Sequence, residues 1–384
     1  MSEGAPRVIV VGGGIGGLAA AVSLRRAGID ARVFERASEL GEVGSAFFVW
    51  TNGMRALMEL GLADQVEALG DRVERSEYAS RGGKILVEWN VGGVARRLGA
   101  PNVAVPRSDL QRVLAEAAGD ALELGRECTG VSQDGSGVTA HFADGGEERG
   151  DVLIGADGID SRVADALGLQ TERRYGGYSV FRAVAPFRHE AFPAGTFRQS
   201  LGRGTSFLFL PVGQGRVYWA ASQVAPQSGR PPAAALKEWM LSAFAGYAAP
   251  IVPMIEATPA EDIRWLEIFD RDPKARWGEG RVTLLGDAAH AMLPTMAQGA
   301  CQSLEDAVVL ARCFATAADP VSALRAYETR RIERATGYVV HSRRIARMGA
   351  SRNPIACAIR DRMLKRVMAR MIPRREAGLA VSFD

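Results

Sequence analysis

The chain has 384 residues, of which 47% are hydrophobic and 24% are charged. This composition is typical of a globular protein with room for two domains, and it excludes a disordered chain. The formal net charge is only +3, which argues against nucleic acid as a partner. The four cysteines are widely spaced and match no metal-ligand pattern. We therefore expect no disulfide, no metal site and a cytoplasmic location.

The first element in chain order is a buried strand at residues 8–11, a short run rich in β-branched residues. Gly12, Gly14 and Gly17 follow it in the pattern G-x-G-x-x-G. The first glycine permits a tight turn, the second lets a pyrophosphate approach the backbone, and the third lets the next helix pack closely. Residues 8–24 contain five glycines, which fits this loop and not a signal peptide or a membrane span.

The helix after these glycines stops near residue 28, and residues 31–34 form a second predicted strand that ends at Glu35. A carboxylate at that position accepts hydrogen bonds from ribose hydroxyls. The complete pattern predicts a Rossmann-like unit that binds a dinucleotide. We expect its contacts to come from the glycine loop and the end of the second strand: Gly12, Gly14, Ile15, Gly16, Gly17, Glu35 and Arg36.

The next elements alternate between helices and strands. Residues 57–69 predict one helix, and residues 73–91 predict one or two strands. Residues 108–118 predict a helix that has Ser108 as its N-cap. A further core-type strand is predicted at residues 151–156.

Residues 175–267 have the alternating pattern of an antiparallel sheet, and residues 281–285 return to a buried, parallel-type strand. The nucleotide-binding domain is therefore discontinuous in sequence. We predict an α/β fold with three parts: a Rossmann-like nucleotide-binding domain (residues 1–72, 100–174 and 275–345), a mostly antiparallel β-sheet substrate domain (73–99 and 175–274) and a C-terminal helical segment (346–384).

Two further segments carry a family resemblance. Residues 155–161 (GADGIDS) resemble the G-A-D-G-x-x-S segment of the flavoprotein aromatic hydroxylases, and residues 286–290 (GDAAH) resemble their second FAD motif. With the opening glycines, these motifs follow the family's order over nearly the whole chain. The sequence is similar to the compact, salicylate-hydroxylase-like branch of this family, the single-component group A flavoprotein monooxygenases. It departs from the family at Ala164, where an arginine is frequent.

This resemblance implies FAD as the cofactor, NADH or NADPH and O2 as co-substrates, and no metal. A C4a-hydroperoxide of the flavin would then hydroxylate an aromatic or polycyclic small molecule, natural products included. A helix N-terminus that faces the flavin N1/O2 edge would stabilise negative charge on the reduced ring. The resemblance places these residues at the FAD: Arg107 beside it, Asp157, Asp287 on the ribityl chain, Pro294, and the helix start Gln298, Gly299 and Ala300.

Two residues of the second domain are candidates for contact with the substrate. Arg182 matches a position that lies near flavin and substrate in relatives, and the hydroxyl of Tyr218 could orient a phenol. Phe207 and Phe209 share one strand face, where they either wall the pocket or, as we prefer, pack in the core. The aromatic residues of segment 47–50 border the isoalloxazine ring in the family.

The C-terminal segment is strongly basic. Residues 338–376 contain 11 Lys or Arg and two acids, a local charge of +9, which leaves −6 for the rest of the chain. An apolar residue recurs every fourth position in a helical pattern. Such a helix either lies on a membrane surface or, as we prefer, packs on the acidic body of the protein. The apolar positions are Ile355, Ile359, Met363, Val367 and Met371.

The sequence leaves several alternatives open. The same scaffold supports epoxidation of an alkene, or an FAD-dependent reductase or dehydrogenase reaction. The choice between NADH and NADPH, and between a monomer and a homodimer, is also open. We expect no integral membrane contact, a packed neutral thiol at Cys301, and a packing or capping role near the flavin for His290.

Overall fold

The computed structural model describes residues 5–41, 44–229 and 235–383. Its strands, in chain order, are β1 (Arg7–Val11), β2 (Asp30–Glu35), β3 (Ala46–Val49), β4 (Asp71–Arg72), β5 (Arg75–Ser80), β6 (Ile85–Trp89), β7 (Val103–Pro106), β8 (Leu122–Leu124), β9 (Cys128–Gln133), β10 (Val138–Phe142), β11 (Glu147–Gly150), β12 (Val152–Gly155), β13 (Arg173–Pro186), β14 (Thr196–Leu201), β15 (Thr205–Pro211), β16 (Arg216–Val224), β17 (Arg264–Arg271), β18 (Gly278–Glu279) and β19 (Val282–Leu284). Its helices are α1 (Ile15–Arg26), α2 (Thr51–Glu59), α3 (Ala63–Leu69), α4 (Val91–Leu98), α5 (Arg107–Ala118), α6 (Arg162–Ala166), α7 (Leu236–Phe244), α8 (Ile251–Ala257), α9 (Asp287–His290), α10 (Gly299–Thr316), α11 (Pro320–Gly349) and α12 (Pro354–Leu379).

The first large sheet contains the predicted dinucleotide unit. Its strand order is β18-β19-β12-β1-β2-β8, and β1 lies in parallel between β2 and β12. Residues 8–11 are at most 4% exposed, which explains why this strand is an uninterrupted apolar run. Helix α1 packs against α5 and α10. The predicted α/β fold with a Rossmann-like domain is therefore confirmed.

The second large sheet has seven strands in the order β17-β13-β16-β15-β14-β5-β6. Its neighbours pair in antiparallel fashion except β14 and β5, which are parallel. Residues 75–89 and 173–271 contribute its strands, and residues 278–284 return to the first sheet. The mostly antiparallel second sheet that the alternating pattern predicted is thus confirmed.

The two faces of this sheet have different neighbours because side chains alternate along each strand. One face packs against α7 and α8 in an aromatic-rich core that includes Phe181, Phe207, Phe209 and Trp219. Phe207 and Phe209 are fully buried there, so our preference for core packing over a pocket wall is confirmed. The opposite face is turned toward the first domain.

Two helix predictions need correction. The helix predicted over residues 57–69 begins earlier, at Thr51, and is broken into α2 and α3 around Gly61, whose φ of +72° ends the first helix. Ser108 is not an N-cap, because α5 begins at Arg107 and Pro106 occupies the capping position. The backbone N–H of Arg107 donates to the carbonyl of Ser45 instead.

Helix α12 packs on the body of the protein, but the first three residues of the predicted apolar stripe do not lie on the packed face; the side chains of Val367 and Met371 lie outside the described part of the structure. Leu364 and Met368 are buried in a small cluster beside strands of the second sheet. Ile355, Ile359 and Met363 are 71%, 53% and 49% exposed, so this part of the predicted apolar stripe is on the outside. Across the residues that the structure describes, no helix has the length and apolar character needed to cross a membrane.

Candidate active site

A large cavity lies between the two sheets. It has a volume of about 620 Å³ and extends from the glycine loop of β1 and α1 to the open face of the second sheet. One end is lined by Gly14, Ile15 and Gly16, and the other by side chains of β13, β15 and β16. A single cavity therefore joins the predicted cofactor region to the predicted substrate domain.

The glycine loop is shaped for a ligand that approaches its backbone. Gly12 has a φ of +108°, and a Cβ there would lie 2.4 Å from the carbonyl oxygen of Ala156. A Cβ on Gly17 would lie 1.9 Å from the carbonyl oxygen of Gly12, so the helix can pack this closely only without a side chain. A Cβ on Gly14, in contrast, would meet no protein atom within 4 Å. The space beside Gly14 belongs to the cavity.

The start of α1 also favours an anion. Gly14 is its N-cap and supplies no side-chain hydrogen bond, so the first N–H groups of the helix remain available to a ligand. Free N–H groups and the helix dipole together make a phosphate site. The buried hydroxyl of Ser45, on the same cavity wall, likewise lacks a hydrogen-bond partner in the part of the chain that is described. These observations fit a bound pyrophosphate-containing cofactor such as FAD.

Glu35 lies at the end of β2, beside the glycine loop. Its Oε2 accepts a hydrogen bond from Gly13 N at 2.6 Å, and its Oε1 accepts one from Ala37 N at 2.9 Å. These two bonds fix the carboxylate next to the loop, where the sequence predicts contact with a ribose. Arg36, the next predicted residue, is exposed and does not line the cavity.

Asp157 has a local structural role. Its carboxylate accepts hydrogen bonds from Ser161 Oγ at 2.5 Å, from Arg162 N at 2.7 Å and from Val163 N at 3.1 Å, which caps the start of α6. Burial raises the pKa of this carboxyl although the three hydrogen bonds act in the opposite direction. The residues of this segment that line the cavity are Ala156, Gly158 and Ile159.

The third side of the cavity is formed by residues 285–300. Asp287, in the first turn of α9, is exposed to the cavity, and Pro294 follows on the same wall. Ala297 then adopts a left-handed conformation with φ of +51°, which turns the chain into α10. Gly299 and Ala300 line the cavity at the start of that helix, which has no side-chain cap.

Gln298 does not face the cavity with its side chain. It is 3% exposed, and its Oε1 accepts hydrogen bonds from Asn52 at 2.9 Å and from Gln302 at 3.0 Å. Asn52 also donates to Glu305 Oε1 at 2.6 Å. Gln298 therefore fastens the start of α10 to α2, and it is not among the residues that line the cavity.

A buried charge cluster lies behind this wall. Arg331 of α11 donates from Nε to Asp306 Oδ1 at 2.7 Å and from Nη1 to Glu305 Oε2 at 2.6 Å. Asp306 Oδ2 accepts from His290 Nε2 at 2.6 Å and from Gly286 N at 3.1 Å. The cluster thereby connects α11 and α10 to the 286–290 turn that carries Asp287.

The carboxylates of this cluster are held in their charged form. Burial alone would raise the pKa of Asp306, but the charges of His290 and Arg331 outweigh it and bring the pKa down to about 2. The pKa of Glu305 is also lowered against the effect of burial, by Arg331 and by Arg334, which donates to it at 2.6 Å. The predicted packing role of His290 agrees with these contacts.

The half of the cavity in which we predict the substrate is formed by the open face of the second sheet. Arg182 and Tyr218 both line it. The family resemblance had suggested Arg182, and the strand alternation had placed Tyr218 on the face opposite to Trp219. Phe47, Phe48 and Trp50 line the adjoining wall. The Arg107 guanidinium, also on that wall, lies 5.9 Å from the centre of the Phe47 ring. The structure therefore brings Arg182, Tyr218 and Arg107 to one cavity.

Sequence reasoning missed Arg331 and Tyr178. Arg331 is 2% exposed, and its only sequence signal was indirect: two adjacent acids, Glu305 and Asp306, stand in a largely apolar helix and require a buried cation. Tyr178 lines the cavity on the same face of β13 as Arg182. The period-two spacing from Arg182 could have indicated it.

The cysteines show no sign of a disulfide or of a reactive thiol. All four are free and buried. Burial raises the pKa of the Cys301 thiol to about 12, which agrees with the expected packed, neutral thiol. Within residues 5–41, 44–229 and 235–383, no group of three or more His, Cys, Asp or Glu is arranged to hold a metal ion.

Comparisons with known proteins agree with this geometry. A family model described as an FAD binding domain matches residues 6–342. The chain is 39% identical to the aurachin C monooxygenase/isomerase of Stigmatella aurantiaca over 93% of each chain. It is 35% identical to the FAD-dependent urate hydroxylase of Klebsiella pneumoniae over 88% of this chain and 89% of that protein. The crystal structure of Klebsiella pneumoniae HpxO complexed with FAD and uric acid has a TM-score of 0.92 and 32% identity, covering 97% of this chain and 96% of that one.

Proposed function

Since this chain belongs to the family of FAD-dependent aromatic monooxygenases, we propose that it uses NADH or NADPH and O2 to hydroxylate an aromatic or polycyclic small molecule. The family resemblance that the motifs predicted is confirmed, and with it FAD as the cofactor of an oxidoreductase. The co-substrate, the oxygenated product and a cytoplasmic location remain our proposals. The four free thiols support the last of these.

One observation carries the proposal: the dinucleotide loop and the open face of the second sheet line one cavity. In such a cavity a cofactor and a flat substrate lie against each other without a separating wall. A hydroxylation requires this contact, because an oxygen atom must pass from one to the other inside a space that excludes bulk water.

We propose that the chain binds FAD through four sets of contacts. The N–H groups at the start of α1, beside Gly14, bind the pyrophosphate, and Glu35 accepts hydrogen bonds from the ribose. Asp287 binds the ribityl chain from the first turn of α9. Arg107 lies beside the cofactor, next to Phe47.

When bound, FAD supplies the redox chemistry and the activation of O2. The start of α10 at Gly299 and Ala300 presents an uncapped helix N-terminus to the cavity, which would stabilise negative charge on the reduced flavin. The buried cluster around Arg331 holds this helix start and the 286–290 turn in fixed relation. The protein thus contributes orientation and electrostatics, with no catalytic triad required.

The second sheet is proposed to orient the substrate. Arg182 and Tyr218 supply polar groups on its open face, while Leu208 and Leu210 of β15 cover the ring and exclude water. Phe48 stacks 5.9 Å from Phe197 at the junction of the two domains and narrows the entrance. This arrangement suits a flat molecule between the flavin and the sheet.

The test is oxidation of NADH and of NADPH in air by the FAD-loaded protein, with a panel of phenols, fused aromatics and alkenes and mass spectrometry of each mixture. The proposal predicts a compound that accelerates oxidation of one nicotinamide and gains one oxygen atom. An alkene that gains oxygen while no aromatic does would favour epoxidation. Accelerated oxidation with products changed only in hydrogen content would contradict the proposal in favour of a reductase or dehydrogenase.

A further inference from the structure

The hydroxyl of Tyr178 is a buried polar group that the mechanism above does not use. Tyr178 is 9% exposed and lines the cavity from β13. Its Oη has no hydrogen-bond partner among the residues that the structure describes. An unsatisfied buried hydroxyl costs free energy, and such groups are rare in native proteins. A partner supplied by a bound molecule accounts for it.

The side chain of Tyr178 packs among apolar residues. Tyr178 packs with Val180, Ala220 and Leu293, and the partly buried Leu208 and Ile268 adjoin them. Leu293 directly precedes Pro294, on the wall that we assign to the flavin. Tyr178 therefore lies where the sheet meets the cofactor end of the cavity, which is the place of the reacting ring.

The cations near Tyr178 are already paired. Arg343 donates to Asp270 at 2.5 Å and to Asp272 at 2.8 Å, and Arg174 donates to Asp272 at 2.7 Å. The Cα of Arg182 lies four residues further along the strand, about 13 Å from the Cα of Tyr178 at 3.3 Å per residue. A carboxylate next to Tyr178 would thus be buried without a counter-ion, at high cost.

Tyr178 remains a hydrogen-bond donor at any working pH. Burial, together with the negative charge of Asp270, raises the pKa of its hydroxyl well above the ordinary value. A protonated phenol can donate a hydrogen bond to a neutral carbonyl or hydroxyl oxygen, and it can also accept one from a hydroxyl. Both of these partners are uncharged groups.

We propose that Tyr178 orients the substrate by a direct hydrogen bond, and that the substrate is a neutral aromatic compound with one hydroxyl or carbonyl at this point and an otherwise apolar body. Aromatic carboxylates are excluded as preferred substrates. The inference rests on the proposed function, because it assumes that the reacting molecule occupies this cavity. Tyr178 is a specificity-determining residue in this account. Tyr218 lies on the same face of the neighbouring strand, where it pairs with Val184, six residues along β13 from Tyr178.

The experiment compares the FAD-loaded wild type with Tyr178→Phe and with the control Tyr175→Phe, which loses a hydroxyl that donates to the Ala225 carbonyl at 2.9 Å. The probes are 1-naphthol, 1-hydroxy-2-naphthoate and naphthalene, and their dissociation constants are measured from changes in flavin absorbance. We expect the wild type to bind 1-naphthol more tightly than the carboxylate. Tyr178→Phe should weaken 1-naphthol binding roughly five- to tenfold and leave naphthalene binding unchanged.

Two results would overturn the inference. The first is a wild type that binds 1-hydroxy-2-naphthoate more tightly than 1-naphthol, or that does not bind 1-naphthol. The second is a Tyr178→Phe protein whose affinity for 1-naphthol equals that of the wild type or of Tyr175→Phe. The comparison of probes on the wild type stands even if the variant does not fold. If 1-naphthol binds as expected but no probe or panel compound gains oxygen, the proposed function fails while the binding inference stands.

Discussion

Replacing Arg331 with methionine tests the buried cluster behind the cavity. Arg331, Asp306 and Glu305 are each at most 2% exposed at the side chain. Removal of the arginine leaves Asp306 with His290 as its remaining side-chain partner. Glu305 keeps Arg334, Asn52 and Gln302. The loss of one partner from a buried ion pair destabilises a protein by about 3–5 kcal/mol.

This loss translates into a measurable shift in thermal unfolding. An unfolding entropy of about 2.1 cal/mol/K per residue gives about 0.8 kcal/mol/K for a chain of 384 residues. A loss of about 4 kcal/mol therefore lowers the unfolding midpoint by about 5 °C. Differential scanning fluorimetry of the wild type and of Arg331→Met, with and without added FAD, measures this difference in unfolding midpoint.

Arg330→Met is the matched control, because Arg330 is the preceding residue on α11 and is exposed. Its midpoint should equal that of the wild type. The unfolding midpoint of Arg331→Lys should lie between those of Arg331→Met and the wild type, because one ammonium cannot reach both carboxylates as the guanidinium does. If Arg331→Met unfolds within about 1 °C of Arg330→Met, the reasoning from burial and pairing is refuted.

Three further predictions follow from the cofactor end of the cavity. The apoprotein of Gly14→Ala should unfold at the wild-type thermal midpoint, but the FAD-loaded variant should retain less FAD on gel filtration. Gly17→Ala should fail to fold because its Cβ would meet the Gly12 carbonyl. Equal FAD content in Gly14→Ala and wild type would contradict the phosphate site. Glu35→Ala and Asp287→Ala should each weaken FAD binding roughly 10- to 100-fold, the value of one hydrogen bond to a charged group. Full flavin occupancy of a variant after dialysis would contradict the role proposed for that residue. Asp306, with a folded pKa of about 2 against an ordinary 3.8, contributes stability that is complete above about pH 4 and is lost as the pH falls toward 2. The midpoint difference between wild type and Asp306→Asn should therefore shrink from pH 5 to pH 3, and a difference that grows would contradict the pairing.

The dinucleotide unit could be predicted because its determinants are local. The buried strand, the turn at Gly12, the close approach at Gly17 and the acid at Glu35 all fall within about 30 residues, and each has a steric or hydrogen-bonding cause that the sequence displays. The alternation along β13, β15 and β16 likewise separated the core residue Phe207 from the cavity residue Tyr218, because the two faces of a strand follow a period of two.

The remaining features depend on contacts between distant parts of the chain. Arg331 lies 25 residues from Asp306, and nothing near it in sequence distinguishes it from an exposed arginine on a long helix. The side chain of Gln298 is turned into the protein by Asn52, 246 residues earlier. Asp157 was assigned to the cofactor by resemblance, but its carboxylate is occupied by the start of α6.

The face of α12 that packs on the protein could not be predicted from the periodicity of its sequence. A repeat of four identifies a stripe, but the packed face is chosen by the neighbouring surface, and here β6 and β14 receive Leu364 and Met368. The break at Gly61 had a visible signal, since a glycine inside a predicted helix permits the positive φ that ends it.

The most direct test of the central claim is turnover under ¹⁸O₂ with the nicotinamide and the compound that best accelerates its oxidation. The account predicts a product that gains one ¹⁸O atom for each nicotinamide consumed, with little hydrogen peroxide. A product without ¹⁸O, accompanied by hydrogen peroxide in an amount equal to the nicotinamide consumed, would show that the enzyme is not a monooxygenase of that compound and would contradict the account.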